Sequence, residues 1–162
     1  MVAFAMESYA LSKNMDVETT HKWWLTGLLH DLDWEQFPDE HPSYAVNVLL
    51  PKYEIGEDIL HAILSHAPAR TGVHPTSELD RYLFACDELS GFIHAVSLMR
   101  PTAYDGMKVK SVTKKLKTLN FAANVSREDI HEGVRLIDTS LQDHIQYLIT
   151  VFQQKKLEGL ID

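Results

Sequence analysis

Apolar residues recur at helical spacing along most of this chain, and this spacing constrains the fold more than any other feature. In residues 1–12, for example, one face of a helix would carry four such side chains: Val2, Met6, Tyr9 and Ala10. The alternation of apolar and polar residues that marks a half-buried strand is hardly visible anywhere. The sequence therefore predicts an all-α fold, a bundle of about six or seven helices.

Capping residues and prolines divide this pattern into separate helices. Asp16 is a suitable N-cap for a helix over Val17–Leu29, and Ser77 with Asp80 begins a capping-box pattern ahead of a long helix that reaches Met99. The remaining predicted helices run over 44–50, entered through His41-Pro42 with proline at the first helical position, over about 55–66, and from Ser126 through Val151, with a loop over 67–76.

The composition indicates one domain that handles small ligands. The chain has 162 residues, 45% of them hydrophobic, and a formal net charge of -8, which repels nucleic acid and anionic membranes. The single cysteine, Cys86, cannot form an internal disulfide and is expected to pack as a small apolar side chain. No signal peptide or membrane-spanning run is visible, so we expect a soluble, cytoplasmic protein. The sequence does not determine its oligomeric state. Its core should lie within about residues 1–100, with helices over about 108–156 packed on it.

The first candidate metal ligands follow the second predicted helix, where Leu29 is succeeded by His30 and Asp31. Adjacent imidazole and carboxylate groups offer a mixed nitrogen and oxygen donor set that suits a first-row transition metal. Taken alone the pair is a weak signal, because a histidine at a helix end often interacts only with the last carbonyl groups. The rest of the chain must decide between these two interpretations.

Three further polar residues lie at helix ends or inside apolar helices: His41, His66 and Asp87. Together with His30 and Asp31, they form an ordered set that resembles the HD-domain superfamily of metal-dependent phosphohydrolases. The set looks most like small stand-alone HDIG-type hydrolases, and its ligand order is similar to that of the HD enzymes that cleave diadenosine tetraphosphate. The resemblance covers most of the chain through four segments: Leu28–Asp33, Asp39–Pro42, Ala62–His66 and Phe84–Phe92. It implies a single HD domain over residues 1–162.

The resemblance also implies a role for each of the five residues. His30 and Asp31 would be the catalytic centre and metal ligands, with Asp31 bridging two ions. Asp87 would complete the ligand set of the first ion, which His30 and Asp31 also bind. His41 and His66 would hold the second ion. The implied cofactor is one or two divalent ions of Mn, Fe, Co, Ni or Zn. The substrate that the resemblance implies is a nucleotide or another small phosphorylated molecule. The implied ligand set is consistent with this, since a bridging carboxylate lets two cations share a nucleophile and clamp a phosphoryl oxygen.

Two features depart from the family pattern. Family members carry a first histidine about one helix before the His-Asp pair, whereas no histidine precedes His21 here, and His21 would face away from His30 on the same helix. A start site that is too far downstream, a substitution that weakens metal binding, and a loss of catalysis are three explanations. Asp33-Trp34 also replaces the Gly-Lys of the family's cyclic-dinucleotide phosphodiesterases, which argues against their substrate.

Other cations are available to bind a substrate phosphate. Arg70 lies in the predicted loop after His66, and a guanidinium can bind phosphate through two parallel hydrogen bonds. Lys110 and Lys114 belong to a basic segment over residues 108–117, which is otherwise typical of a solvated helix face. We predict all three as substrate-binding residues and favour Arg70, for which an exposed loop position is the alternative interpretation.

Two other functions stay open at the level of the sequence. The incomplete ligand set is compatible with a ligand-binding or interaction module that kept the fold and lost catalysis. Some HD relatives use a di-iron site of the same kind for an oxygenase reaction. The remaining histidines are assigned no role as metal ligands: His61, His74, His94, His131 and His144.

Overall fold

The computed structural model describes residues 1–161, and all the regular secondary structure of that range is helical. Its eight α-helices are α1 (Val2–Ser12), α2 (Val17–Leu29), α3 (Glu57–Ser65), α4 (Pro68–Thr71), α5 (Glu78–Leu98), α6 (Val109–Leu116), α7 (Arg127–Leu136) and α8 (Leu141–Leu157). A π-helical turn, Ala45–Leu49, and a 3-10 turn, Leu50–Lys52, lie between α2 and α3. The all-α prediction is confirmed, although the helices outnumber the six or seven expected. Within residues 1–161, no helix has both the length and the apolar character needed to cross a bilayer.

Helix starts agree with the sequence where a capping side chain is present. Asp16 accepts a hydrogen bond from an amide in the first turn of α2, and Ser126 does the same for α7. Ser77 and Asp80 form the predicted capping box at the start of α5. These bonds satisfy amides that the first turn of a helix leaves without partners, so the boundaries are encoded locally.

The predicted last helix is wrong in its length. Instead of one helix over 126–151, the chain forms α7 and α8 with a break at residues 137–140. Asp138 has a φ of 51°, in the left-handed region that a right-handed helix cannot include. Ser140 then caps α8 by accepting a hydrogen bond from the amide of Asp143. The chain therefore turns before it continues as α8.

Two predictions near the middle of the chain also differ from the structure. The predicted helix over 44–50 is mainly a π-helical turn, and Pro42 lies in the turn before it, after a cis peptide bond, rather than at the first position of an α-helix. The predicted loop over 67–76 contains α4. Pro68 can begin this one-turn helix because no amide donor is needed there, and Gly72, with a φ of 72°, ends it.

Helix α5 is the centre of the bundle, and α1, α3, α6, α7 and α8 all pack on it. Most of its buried apolar side chains belong to one hydrophobic cluster that also takes side chains from α1, α6, α7 and α8; among them are Met6, Leu89, Phe92, Val112 and Phe152. Cys86 packs in this cluster, as predicted. A smaller cluster of Val46, Leu50, Ile59 and Ile63 lies between the π-helical turn and α3. Helices α2, α3 and α5, which carry most of the predicted metal ligands, contact one another.

Gly27 allows α1 to approach α2 closely. A Cβ atom at position 27 would lie 2.8 Å from the Cα of Ala3 and 2.9 Å from its amide nitrogen, whereas a Cβ at Gly91 in α5 would meet nothing within 4 Å. We expect Gly27→Ala to lower the free energy of unfolding by about 1–3 kcal/mol because of this collision. Gly91→Ala should raise it by about 0.5–1 kcal/mol, because alanine favours a helix. Urea unfolding measures both changes, and a Gly27→Ala protein as stable as the wild type would contradict the close approach.

His144 on α8 is buried, although the two residues before it, Gln142 and Asp143, are polar. Its Nε2–H donates to the carbonyl of Ala85 in α5 at 2.9 Å, and its Nδ1 accepts a hydrogen bond from the hydroxyl of Tyr9 in α1 at 2.6 Å. The side chain therefore connects three helices. Burial lowers the pKa of His144 to about 4, so the imidazole is neutral at pH 7.

This burial predicts that acid weakens the fold. The unfolded chain binds a proton at His144 near pH 6.5 and the folded chain only near pH 4, so the stability given by the neutral ring is complete above pH 6.5 and is lost as the pH falls to 4. At about 1.4 kcal/mol per pH unit, the loss approaches about 3 kcal/mol. Chemical unfolding at both pH values should show a smaller pH dependence for His144→Gln than for the wild type. Equal pH dependence in the two proteins would contradict the prediction.

Candidate metal centre

The five predicted metal ligands converge between α2, α3 and α5. His30 and Asp31 follow the last turn of α2, His66 follows the last turn of α3, Asp87 lies within α5, and His41 comes from the loop before the π-helical turn. We call these five residues the metal-ligand cluster, or the cluster. They form two groups of three: His30 with Asp31 and Asp87, called the His30 group, and Asp31 with His41 and His66. Within each group the ligand atoms lie within 4.8 Å of one another, so each group could hold a metal ion.

Asp31 joins the two groups through different oxygen atoms. Its Oδ2 lies 3.3 Å from Nε2 of His30, and its Oδ1 lies 3.5 Å from Nε2 of His41 and 3.8 Å from Nε2 of His66. Oδ1 of Asp87 approaches the same Nε2 of His30 at 3.2 Å. A carboxylate in this position can bind one cation through each oxygen, as two-metal sites require.

His30 and His66 are oriented by the way their helices end. Each follows the last residue of its helix and donates Nδ1–H to the carbonyl three residues back, His30 to Gly27 at 2.9 Å and His66 to Ile63 at 2.5 Å. Carbonyls in the last turn of a helix lack amide partners, so both bonds are locally favourable. Because Nδ1 carries the hydrogen, Nε2 of the neutral ring carries a lone pair, and in both residues this atom lies in the cluster. The two interpretations of His30, a carbonyl partner and a metal ligand, are therefore compatible.

Asp33 orients the third histidine, a role that the sequence did not reveal. Nδ1–H of His41 donates to Oδ1 of Asp33 at 2.7 Å, and the amide of Ala45 donates to Oδ2 at 2.8 Å. The Asp33 side chain is fully buried. A carboxylate behind a histidine fixes the orientation of the ring and makes its other nitrogen a stronger metal ligand. In the sequence, Asp33 stood out only as part of the departure from Gly-Lys.

A short contact across the cluster joins two histidine nitrogens, Nε2 of His41 and Nε2 of His66, at 3.1 Å. Since both rings donate Nδ1–H elsewhere, two lone pairs face each other when the rings are neutral, which is repulsive unless a cation or a proton lies between them. Burial lowers the pKa of His66 and so disfavours the proton. Two nitrogen ligands that share one ion at about 2.1 Å are about 3.0–3.4 Å apart in octahedral or tetrahedral geometry. The residues present therefore fit a transition-metal ion.

The His30 group stabilises positive charge. Burial lowers the pKa of His30, but the contacts with Asp31 and Asp87 outweigh it and raise this pKa to about 10. Burial likewise raises the pKa of Asp31, and the contacts with His30 outweigh it and lower that pKa to about 2. A protonated imidazole between two carboxylates occupies a position that suits a cation. A bound metal ion would displace this proton, since histidine ligands bind metals in the neutral form.

The cluster is closed on the imidazole side and open on the carboxylate side. The side chains of His30, His41 and His66 are only 8%, 4% and 3% exposed, whereas Asp31 is 46% exposed and Asp87 is 25% exposed. Three protein ligands leave at least one position free on an ion that takes four or more ligands, as catalytic metal sites do. Water or a substrate can therefore reach the cluster past the two carboxylates.

A pocket of about 420 Å³ lies beside the cluster and shares His41 with it. Arg70, one of the predicted substrate-binding residues, lines this pocket, although it belongs to α4 rather than to a loop. Its guanidinium donates to the carbonyl of Pro38 at 2.8 Å and lies over the ring of Trp34, 5.6 Å from the centroid. These contacts hold Arg70 at the pocket wall. Its role in substrate binding stays a prediction.

Lys110 and Lys114, the other predicted substrate-binding residues, lie on α6, which packs on α5 and α8. Lys110 lines a separate pocket of about 580 Å³ together with Lys117, Arg127 and His131, and no cluster residue lines that pocket within residues 1–161. Lys114 is exposed, as on a solvated helix face. The structure does not bring these lysines to the metal-ligand cluster, and their role in binding stays a prediction.

Three other histidines make contacts outside the cluster. Nδ1 of His61, which is half-exposed, lies 3.0 Å from Oδ2 of Asp80. His94 shares a 2.7 Å hydrogen bond with the hydroxyl of Tyr104, rather than with the backbone partner that a core histidine often has. His21 stacks on a tryptophan of its own helix. None of the three belongs to either ligand group of residues 1–161.

Known proteins offer three levels of comparison: models of protein families, curated sequences and solved structures. A match at any of these levels would connect the order of the cluster residues with an established family. No family model, curated protein or solved structure matches the chain.

Proposed function

We propose that this protein is a metal-dependent phosphohydrolase of the HD-superfamily type, acting on a nucleotide or another small phosphate ester. The observation that carries the proposal is the pair of buried Nε2 atoms of His41 and His66, 3.1 Å apart, while both Nδ1 atoms are hydrogen-bonded elsewhere. Beside this pair lies a second group that shares Asp31 with it. The resemblance in ligand order along the chain supports the same proposal.

The charge of the cluster supports an anionic substrate. Its ligands are two carboxylates, Asp31 and Asp87, and three imidazoles that are neutral when they bind metal. The Asp33 carboxylate behind His41 adds a third negative charge. Two divalent cations would therefore leave an excess of one positive charge, and a single one would leave an excess of one negative charge. Divalent ions in such a site polarise a phosphoryl oxygen and lower the pKa of bound water. A local positive site would attract a small phosphate even though the whole chain carries a formal charge of -8.

The chain's own residues divide the remaining tasks. The three buried imidazoles would hold the ions from one side, where His41 also lines the adjoining pocket. Asp31 would complete both groups and Asp87 only the group of His30, at the exposed side of the cluster. Arg70, held at the wall of the adjoining pocket, would bind a phosphate oxygen through its guanidinium and orient the ester.

Elemental analysis and a substrate screen test the proposal. We expect the purified protein to hold about one to two equivalents of Mn, Fe, Co, Ni or Zn. Loaded with each metal in turn, aerobically and anaerobically, it should release phosphate from at least one compound in a panel of nucleotides and small phosphate esters. A metal-loaded protein that binds these compounds and hydrolyses none of them would be the non-catalytic binding module. Oxygen consumption by the iron-loaded protein would indicate the oxygenase alternative. A protein that binds no metal would contradict both metal-dependent functions and favour the non-catalytic binding module.

A further inference from the structure

The pocket beside the cluster is a polar site in its own right. The chain segment from residue 39 to residue 48, together with Arg70, lines it, and the polar side chains besides His41 are Asp39, Glu40, Ser43, Tyr44, Asn47 and Arg70. Because His41 belongs both to the pocket wall and to a metal-ligand group, a molecule in the pocket would adjoin the cluster. The volume of about 420 Å³ lies in the range of small-molecule sites.

The polar groups of this pocket are free to bind a ligand. Within residues 1–161, five of these side chains make no hydrogen bond or ion pair with another part of the chain: Asp39, Glu40, Ser43, Tyr44 and Asn47. Some of the pocket wall is nonetheless held in place. Tyr44 stacks on Phe37 with ring centroids 3.8 Å apart, and Arg70 is held by Pro38. The pocket therefore presents unpaired donors and acceptors on a partly fixed frame.

The pocket carries a net negative charge, which disfavours the binding of a second phosphate group there. Asp39 and Glu40 carry two negative charges against the single positive charge of Arg70. A further phosphate would meet net repulsion from the two carboxylates, whereas hydroxyl groups can donate to carboxylates and accept from amide or guanidinium groups. Two adjacent hydroxyls suit a wall that offers both acceptors, such as Asp39, and donors, such as Asn47. Carboxylates commonly recognise the hydroxyls of ribose in this way.

We propose that this pocket binds the leaving-group side of the substrate and that this side carries vicinal hydroxyl groups, as a ribose or another sugar does. The inference rests on the proposed phosphohydrolase function and narrows its substrate class to phosphate monoesters of such diols. In the reaction, the oxygen of water forms a bond to phosphorus and the ester P–O bond breaks. The leaving alcohol takes up one proton of that water, and inorganic phosphate is the second product. A nucleotide and a free sugar phosphate share this diol chemistry, so the test must separate them.

Four substrates test the inference on the metal-loaded protein: adenosine 5′-monophosphate, its 2′-deoxy analogue, ribose 5-phosphate and p-nitrophenyl phosphate. We expect kcat/KM to be about tenfold or more higher for the ribonucleotide than for the deoxynucleotide, because a site built to bond a hydroxyl disfavours the analogue that lacks it. Comparable turnover of ribose 5-phosphate would identify a sugar phosphate as sufficient. Much weaker turnover of ribose 5-phosphate would show that the base contributes as well.

Substitutions in the pocket test whether its side chains cause the preference for the ribonucleotide. Asp39→Ala and Asn47→Ala should each lower the ratio of kcat/KM for the ribonucleotide over the deoxynucleotide. The matched control is Glu35→Ala, which removes a carboxylate from an exposed residue of the same loop that does not line the pocket and should keep the ratio. A ratio near one in the wild type would overturn the inference, and so would pocket variants that leave the ratio unchanged.

Binding measurements separate failure of the inference from failure of the proposed function. If the metal-loaded protein hydrolyses nothing in the full panel, these four compounds included, calorimetry with the ribonucleotide and the deoxynucleotide still measures the diol preference. A preference of about tenfold that Asp39→Ala removes would uphold the pocket assignment and reject the hydrolase. Equal affinity of the two nucleotides, or no binding of either, would overturn the pocket assignment itself.

Discussion

Replacing Asp31 with alanine is expected to remove metal from both ligand groups at once. The two oxygens of Asp31 face different groups, Oδ2 toward His30 and Oδ1 toward His41 and His66. Asp87 belongs to one group only, so Asp87→Ala should lose about half of the metal and keep the ion of the His41–His66 pair. Phosphate release by Asp31→Ala should fall by about three orders of magnitude, because metal ions supply several kcal/mol of transition-state stabilisation. Elemental analysis and steady-state kinetics measure the two effects.

The control for this prediction is Glu35→Ala, which removes an exposed carboxylate four residues along the same loop and should leave metal content and turnover at wild-type levels. Thermal unfolding of each variant separates loss of ligand from loss of fold. A folded Asp31→Ala protein with wild-type metal content would contradict the shared-ligand arrangement. Equal metal loss in Asp31→Ala and Asp87→Ala would show that the cluster binds one ion rather than two.

Much of the architecture could be predicted because its determinants are local. Asp16, Ser77 and Ser126 each bond to an amide in the next turn of the chain, so three helix starts are encoded within four residues. The helical period of the apolar residues gave the all-α class in the same way. The expectation that the five ligand candidates lie together also agrees with the structure. Two of them, His30 and His66, follow the ends of helices that contact each other.

The features that could not be predicted depend on contacts between distant parts of the chain or on unusual backbone. His144 is buried because Tyr9 and Ala85, which are far from it in the sequence, supply its hydrogen-bond partners. Its polar neighbours in α8 gave no sign of this. The break between α7 and α8 depends on Asp138 in the left-handed region, which aspartate adopts more readily than most residues but does not require. The apolar pattern alone runs through that break.

The contact between Asp33 and His41 could not be predicted from the sequence either, because it forms only when the loop after α2 folds back on itself. Its largest testable effect is on metal affinity. In Asp33→Asn, the amide oxygen can accept from Nδ1–H of His41 or from the amide of Ala45, but the NH2 group cannot accept from the other donor. We expect affinity at the His41–His66 pair to fall about 10–100-fold, the usual effect of losing a carboxylate behind a histidine ligand. The His30 group should keep its affinity, since Nδ1 of His30 bonds to the carbonyl of Gly27 instead.

A two-site metal titration of Asp33→Asn measures this difference, and Asp80→Asn is the matched control. Asp80 is also a buried carboxylate that accepts backbone amides and contacts a histidine, His61, but it lies outside both ligand groups. Both substitutions should lower the free energy of unfolding by about 1–3 kcal/mol, because each creates an unpaired buried donor. In Asp33→Asn it is a donor that the carboxylate had bonded, and in Asp80→Asn it is the new NH2 group at the position of Oδ1, which has no partner. Only Asp33→Asn should weaken metal binding, and only at one group. If both variants weakened both groups equally, Asp33 would act through general stability. A selective loss would instead assign Asp33 the task of keeping Nε2 of His41 available to a cation.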